Sequence, residues 1–151
     1  MKEGNKMEKQ FLYRHLIILF VFLFSLKLNA QIINGADLLF SENLNLISGK
    51  KVGVVCNHTS LLADGKHLVD ALLDQNNVSV KSIFTPEHGF KGSAEAGEKI
   101  DYKNNLYKEV PIISLYGKDR SPSKENLKDV DILIFDIQDV GARFYTYIST
   151  M

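Results

Sequence analysis

Four short apolar runs, each released into a polar loop, constrain the fold of this chain more than any other feature. Lys51-Val-Gly-Val-Val-Cys56, Val78-Ser-Val-Lys-Ser-Ile-Phe84, Val110-Pro-Ile-Ile-Ser-Leu115 and Asp131-Ile-Leu-Ile-Phe-Asp136 are rich in β-branched residues. The first reads as a buried strand and the other three as strands, the last the clearest of them. Helical spacing lies between them: Leu68, Ala71 and Leu72 share one face of 67–75, and 124–129 is helix-forming. A short amphipathic helix is expected within 35–47, before a turn at Ser48-Gly49, and residues 143–150 are expected to open another. Strands alternating with helices predict an α/β fold with a mainly parallel sheet. Ligands of open parallel sheets bind beyond the carboxyl ends of the strands. The loops there are Asn57-His58-Thr59-Ser60, Thr85-Pro86-Glu87-His88-Gly89, Tyr116-Gly117-Lys118 and Gln138-Asp139-Val140-Gly141.

The first thirty residues have a different character. Lys2, Lys6, Lys9 and Arg14 precede an apolar run from Leu16 to Leu26, and Ala30 precedes Gln31. A basic start, a short apolar stretch and a small residue at the cut make a secretory signal peptide. The run is short of the roughly 20 residues that a spanning helix needs. We therefore expect 1–30 to be a signal peptide cleaved near Ala30-Gln31, with 31–151 secreted or periplasmic. The whole chain has 18 basic and 18 acidic residues. Without 1–30, which holds five basic and two acidic residues, 13 and 16 remain, a net charge of −3. That balance argues against nucleic-acid binding, which favours a basic excess. The single cysteine, Cys56, excludes an intramolecular disulfide and is expected to be a buried, inert thiol.

Several loop residues have chemistry suited to a site. Glu87, between Pro86 and His88-Gly89, is a carboxylate at a strand end, which serves as a general acid or base if burial raises its pKa. The alternative is a Glu that caps a helix or pairs with a Lys. Asp136 and Gln138 are two apart and share a side of an extended backbone. Asp139 follows, with Arg143 four residues on; they suit sugar hydroxyls or a ligand carboxylate, or else form an ion pair that fixes the turn. Tyr145 and Tyr147 offer a stacking face or core packing. No Cys/His spacing supports a metal centre formed by His58, His67 and His88, and neither GxGxxG nor GxxxxGK[ST] occurs. No metal, cofactor, nucleotide or nucleic acid is expected, and membrane contact is expected only through the signal peptide during export.

Together these loops resemble a known family. Phe84-Thr-Pro-Glu-His-Gly-Phe-Lys-Gly92, Ala94-Glu-Ala-Gly-Glu98, Ile113-Ser-Leu-Tyr-Gly-Lys118, Phe135-Asp-Ile-Gln-Asp-Val-Gly-Ala-Arg-Phe-Tyr-Thr-Tyr147 and Asn57-His58-Thr59-Ser60 are similar to motifs of the exo-acting β-N-acetylmuramidases of bacterial cell-wall recycling. The family was long catalogued as a domain of unknown function, and the similarity covers about residues 34–151. It implies a Rossmann-like N-terminal domain used without a dinucleotide, then a smaller C-terminal domain across an active-site cleft. The implied reaction is hydrolysis of terminal β-1,4-linked N-acetylmuramic acid from the non-reducing end of peptidoglycan fragments.

On this resemblance Glu87 is the first choice for the catalytic acid/base, and His88 supports or orients it. Asp136 and Asp139 are candidates for the partner carboxylate. Asn57, His58, Gln138, Arg143 and Tyr145 are candidates for gripping the sugar, with Arg143 suited to the lactyl carboxylate. Family members continue past the last motif, so the chain is expected to be an N-terminal part, incomplete in its sheet and inactive alone. The alternative function is a non-catalytic saccharide- or muropeptide-binding protein on the same scaffold; a metal-dependent hydrolase is a weaker third.

Overall fold

The computed structural model describes residues 2–24, 32–95, 97–98, 105–117, 120–142 and 146–151. It divides into two units, Met1–Ile32 and Ile33–Met151. In the first, Lys2–Phe24 forms one helix, α1, on which large apolar side chains from Phe11 to Phe22 are exposed. Among the described residues no helix is long and apolar enough to cross a membrane. The expected cleavage point, Ala30-Gln31, lies outside the described residues.

The second unit is built on a five-stranded sheet. Its strands are β1 (Lys51–Cys56), β2 (Ser79–Thr85), β3 (Leu106–Tyr107), β4 (Val110–Ser114) and β5 (Ile132–Asp136), in the order β3-β4-β2-β1-β5. β1 pairs in parallel with both β2 and β5, and β2 in parallel with β4. Only the two-residue β3 is antiparallel, against β4. The chain steps outward from β1 to β2 to β4, then returns to the other side of β1 as β5. That reversal is the Rossmann-like switch in strand order, and it places a crevice between the carboxyl ends of β1 and β5. The α/β class with a mainly parallel sheet is as the alternating pattern indicates.

The near-continuous apolar character of β1 follows from burial on both faces. Val52, Val54, Cys56 and Ile83 pack on one face with Ala36, Ile47, Leu68, Val69 and Leu72. These last come from α2 (Gly35–Ser41), a short 3-10 turn at Leu44–Leu46 with the residue after it, and α3 (Leu68–Leu73). Val55, Phe84 and Leu115 pack on the other face with Ile113, Leu127, Phe135 and Ile137. Gly53 faces this second layer because there is no room for more. A Cβ there would lie 2.9 Å from Leu133 Cδ1 and 3.1 Å from Phe84. α4 (Lys124–Leu127) starts at a capping box in which Ser123 and Asn126 satisfy each other's backbone N–H groups.

The boundaries read from the sequence hold to within one or two residues for the four long strands and for the helices at 67–75 and 124–129. Three elements differ. The helix expected over 35–47 stops at Ser41. There Glu42 turns out of helical geometry, with its N–H on the Leu38 and Leu39 carbonyls, so Leu44–Leu46 form a separate 3-10 turn. The C-terminal helix expected from residue 143 is a single 3-10 turn over Tyr147–Thr150, and residues 143–145 lie outside the described residues. β3 has no signal in the residue pattern, because two residues are too few for a period-2 alternation. Cys56 is fully buried; burial, and to a smaller degree Asp136, pushes its thiol far above the ordinary range, the state of an inert cysteine.

Candidate active-site cleft

The strand-end loops join in two pairs, with His58 between them. The first pair follows β1 and β5. Asn57 is fully buried; its Oδ1 accepts from the Thr59 N–H (2.9 Å) and the Thr59 hydroxyl (2.7 Å). The Gln138 N–H donates to Thr59 Oγ1 at 3.2 Å, and the Ser60 hydroxyl donates to the Asp136 carbonyl. His67 caps α3: its Nδ1 accepts from the Val69 N–H (3.2 Å) while Nε2–H donates to the Asn57 carbonyl (2.9 Å). Both of its ring nitrogens are thereby used in structure. The Asn57 amide nitrogen is buried with no hydrogen-bond partner among the described residues, and so is the Thr85 hydroxyl at the end of β2. A buried donor left unpaired costs about 1–3 kcal/mol.

Gln138 lies two residues past Asp136, just outside the strand. β5 ends at Asp136, and the alternation expected to align the two stops with it. Asp136 is half-buried beside Ala36, Leu39, Leu68 and Ile134, at a hollow of about 440 Å³, and burial raises its carboxyl above the usual range, slightly offset by His67. Gln138 and Asp139 are exposed beyond the strand. Asp139 accepts from the Gly141 N–H at 2.5 Å, which fixes the turn. Arg143 and Tyr145 lie outside the described residues, so an Asp139–Arg143 ion pair is not part of what is described.

The second pair follows β2 and β4. The Leu115 N–H donates to the Thr85 carbonyl (2.8 Å) and holds the two loops together. They wall a cleft of about 530 Å³ lined by Glu87, Gly97, Tyr116, Arg120, Thr146 and Ser149, among others. Glu87 is its best-held group. The Gly97 N–H donates to Oε1 (3.1 Å) and the Thr146 hydroxyl to Oε2 (2.9 Å). Glu87 neither caps a helix nor pairs with a lysine among the described residues. Burial acts to raise its carboxyl, but hydrogen bonds from Thr146, Gly97 and Tyr116, and the nearby His88, outweigh it and hold the group below its ordinary value. The condition that burial raise this pKa is not met, because donors aimed at the charged form win. The same contact raises the Tyr116 phenol, first through its hydrogen bond to Glu87.

His88 turns away from Glu87. Its backbone is left-handed, with φ of 69°, and its Nδ1–H donates to the Ala94 carbonyl at 2.8 Å. Its ring lines a neighbouring hollow of about 430 Å³ with Phe90, Lys91 and Tyr107, and it acts on Glu87 only through space. His58 bridges the two pairs of loops. It lies so close over Gly92, φ 65°, that a Cβ at residue 92 would fall 2.0 Å from His58 Nδ1.

Sequence reasoning missed Tyr116, Arg120 and Thr146 as cleft residues. Tyr116 carried a signal, since it leads the polar loop after β4. Thr146 carried none of its own, because its contact with Glu87 spans 59 residues. Among the described residues no group of three or more His, Cys, Asp or Glu side chains is placed to hold a metal ion.

A parallel α/β sheet with a Rossmann-like order, and a carboxylate held by oriented donors in a strand-end cleft, together define an α/β domain equipped to bind a polar ligand. Residues 52–151 match the family described as exo-β-N-acetylmuramidase NamZ, N-terminal, and the chain belongs to that family. It is 43% identical over 117 residues to the peptidoglycan β-N-acetylmuramidase NamZ of Bacillus subtilis strain 168, an alignment covering 78% of this chain and 28% of that protein. It also resembles the crystal structure of a DUF1343 family protein from Bacteroides fragilis NCTC 9343. The TM-score is 0.69 at 38% identity, over 79% of this chain and 29% of that one. The chain thus spans less than a third of the length of either relative.

Proposed function

We propose that this chain serves a glycoside hydrolase that releases terminal β-1,4-linked N-acetylmuramic acid from the non-reducing end of peptidoglycan fragments. The observation that carries this reading is the Glu87 carboxylate, gripped by Thr146, Gly97 and Tyr116 within the stretch that matches the family. An ionised carboxylate fixed by donors suits a base, a nucleophile or a stabiliser of developing positive charge. Asp139, exposed after β5, is our candidate for the partner carboxylate. Asp136, turned toward apolar neighbours, fits a supporting role, as does His88 through its hold on Ala94. Asn57 with its free amide, His58 and Gln138 border the switch crevice as candidate sugar ligands. Arg143 and Tyr145, three residues and one residue before Thr146, join them as candidates.

The test is turnover of a chromogenic N-acetylmuramic acid glycoside by the full-length gene product. Release from wild type, lost in Glu87→Gln with sugar binding retained, supports the hydrolase. Binding without turnover in wild type supports instead a non-catalytic muropeptide-binding protein. We further propose that the segment through Ala30 directs export. A mature exported chain beginning at Gln31, read by mass spectrometry, is the expected result; a retained residue 1–30 segment would refute it.

A further inference from the structure

We propose that Arg120 recognises the carboxylate of an acidic sugar in the Glu87 cleft, and so selects an N-acetylmuramic acid end over a sugar lacking a free carboxylate. The inference takes the sugar from the proposed function and adds the group that reads it.

A ligand carboxylate entering a cleft that holds the ionised Glu87 meets like charge, and a cation must offset it. Arg120 lines the same cleft wall, four residues beyond Tyr116. Its charge is felt at the Tyr116 phenol, which is itself bonded to Glu87. Lys51, Lys66, Lys108 and Lys128 are each paired with a carboxylate, whereas no ion pair involves Arg120 among the described residues. Glu87 is satisfied by Thr146, Gly97 and Tyr116, so its hydrogen bonds do not occupy the guanidinium. Arg120 is exposed, as a group that meets ligand must be. The planar guanidinium fork matches a carboxylate in two parallel hydrogen bonds, giving geometric selectivity as well as charge.

The experiment is calorimetric binding of N-acetylmuramic acid and of its methyl ester to the full-length protein. The pair differs in charge at one group. Wild type is expected to prefer the acid by roughly ten- to a hundredfold. Arg120→Ala should bring the acid down to the ester's affinity, with a much smaller loss for the ester, and an unchanged far-ultraviolet circular dichroism spectrum shows that the fold is intact. Arg120→Lys should recover part of the preference, as a point charge without the fork. Equal affinity of wild type for acid and ester, or no detectable binding of either, overturns the proposal. So does equal loss of both ligands in Arg120→Ala, or loss of the preference in Arg143→Ala with Arg120→Ala retaining it. Because the readout is binding, a protein that prefers the acid but turns over no glycoside keeps this proposal and refutes the hydrolase.

Discussion

The ends of β2 and β5 each present a carboxylate, and the two are set up in opposite ways. Glu87 is met by three hydrogen-bond donors and stays charged more readily than a free glutamate. Asp136 is met by Leu68, Ile134 and Ala36, and gains a proton more readily than a free aspartate. The strand-end rule places both near the functional edge but does not distinguish them. What distinguishes them is what arrives from elsewhere in the chain. Loops carrying Gly97, Tyr116 and Thr146 come to Glu87, while α2 and α3 cover Asp136. Environments that push two carboxylates apart in acidity give them different tasks.

The sharpest way to break this comparison is to neutralise each carboxylate. Glu87→Gln is expected to lower kcat for a muramic acid glycoside by roughly a hundredfold or more, the ordinary worth of a positioned carboxylate. Asp136→Asn should leave kcat within a few-fold of wild type. Equal losses would show that the two groups act as one catalytic pair, and the contrast drawn here would fail.

Much of this was legible in the residues before any fold was drawn. Val52 to Cys56 form a buried strand and Ile132 to Asp136 a half-buried one, and the composition of both admits little but strand, so the sheet and its functional edge followed. The Pro86-Glu87-His88-Gly89 run marked the loop that carries the best-held carboxylate. The direction of its pKa shift was not legible, because the donors lie 10, 29 and 59 residues downstream and a local pattern carries no such distances. Nor was the separation of His88 from Glu87, which comes from a left-handed backbone at residue 88 and a carbonyl six residues on.

A second test concerns His58, which bridges the two loop pairs. Gly92→Ala would put a Cβ 2.0 Å from its ring at a backbone φ of 65°. We expect a loss of about 1–3 kcal/mol, since both the strained backbone and the displaced ring oppose the fold. The check is a denaturant midpoint. An unchanged midpoint would mean that the His58 ring swings away freely and the two loop pairs are not coupled through it.

Asp136→Asn also has a smaller effect on stability. The folded pKa is raised, so this group favours the fold below its unfolded value of 3.8. That contribution is lost as pH rises through the folded value. An amide removes the cost of a charge in a half-buried setting. We expect stability at neutral pH to rise by roughly 0.5 kcal/mol, a shift of about 2 °C, after discounting for partial exposure. The gain should vanish at a pH below the ordinary aspartate range, where wild-type Asp136 is already protonated. A variant destabilised at both pH values would instead assign Asp136 a hydrogen bond essential to the switch crevice.

The smallest effect isolates one donor at Glu87. Thr146→Val removes the hydroxyl that donates to Oε2 at 2.9 Å while keeping the side chain's shape. The depressed pKa of Glu87 means that the carboxylate is lost only as pH falls below the usual glutamate range. With one donor gone, the acid limb of kcat/KM should move upward, toward the ordinary value near 4.3. At neutral pH the carboxylate remains ionised in both proteins, so turnover there should change only a few-fold. The same substitution at low pH should cost more, and the ratio of variant to wild-type activity should fall steadily as the solution is acidified. An acid limb that does not move would mean that Gly97 and Tyr116 alone set the charge of Glu87. The contrast with Asp136 would then rest on those two donors, with Thr146 serving only to anchor the last turn of the chain.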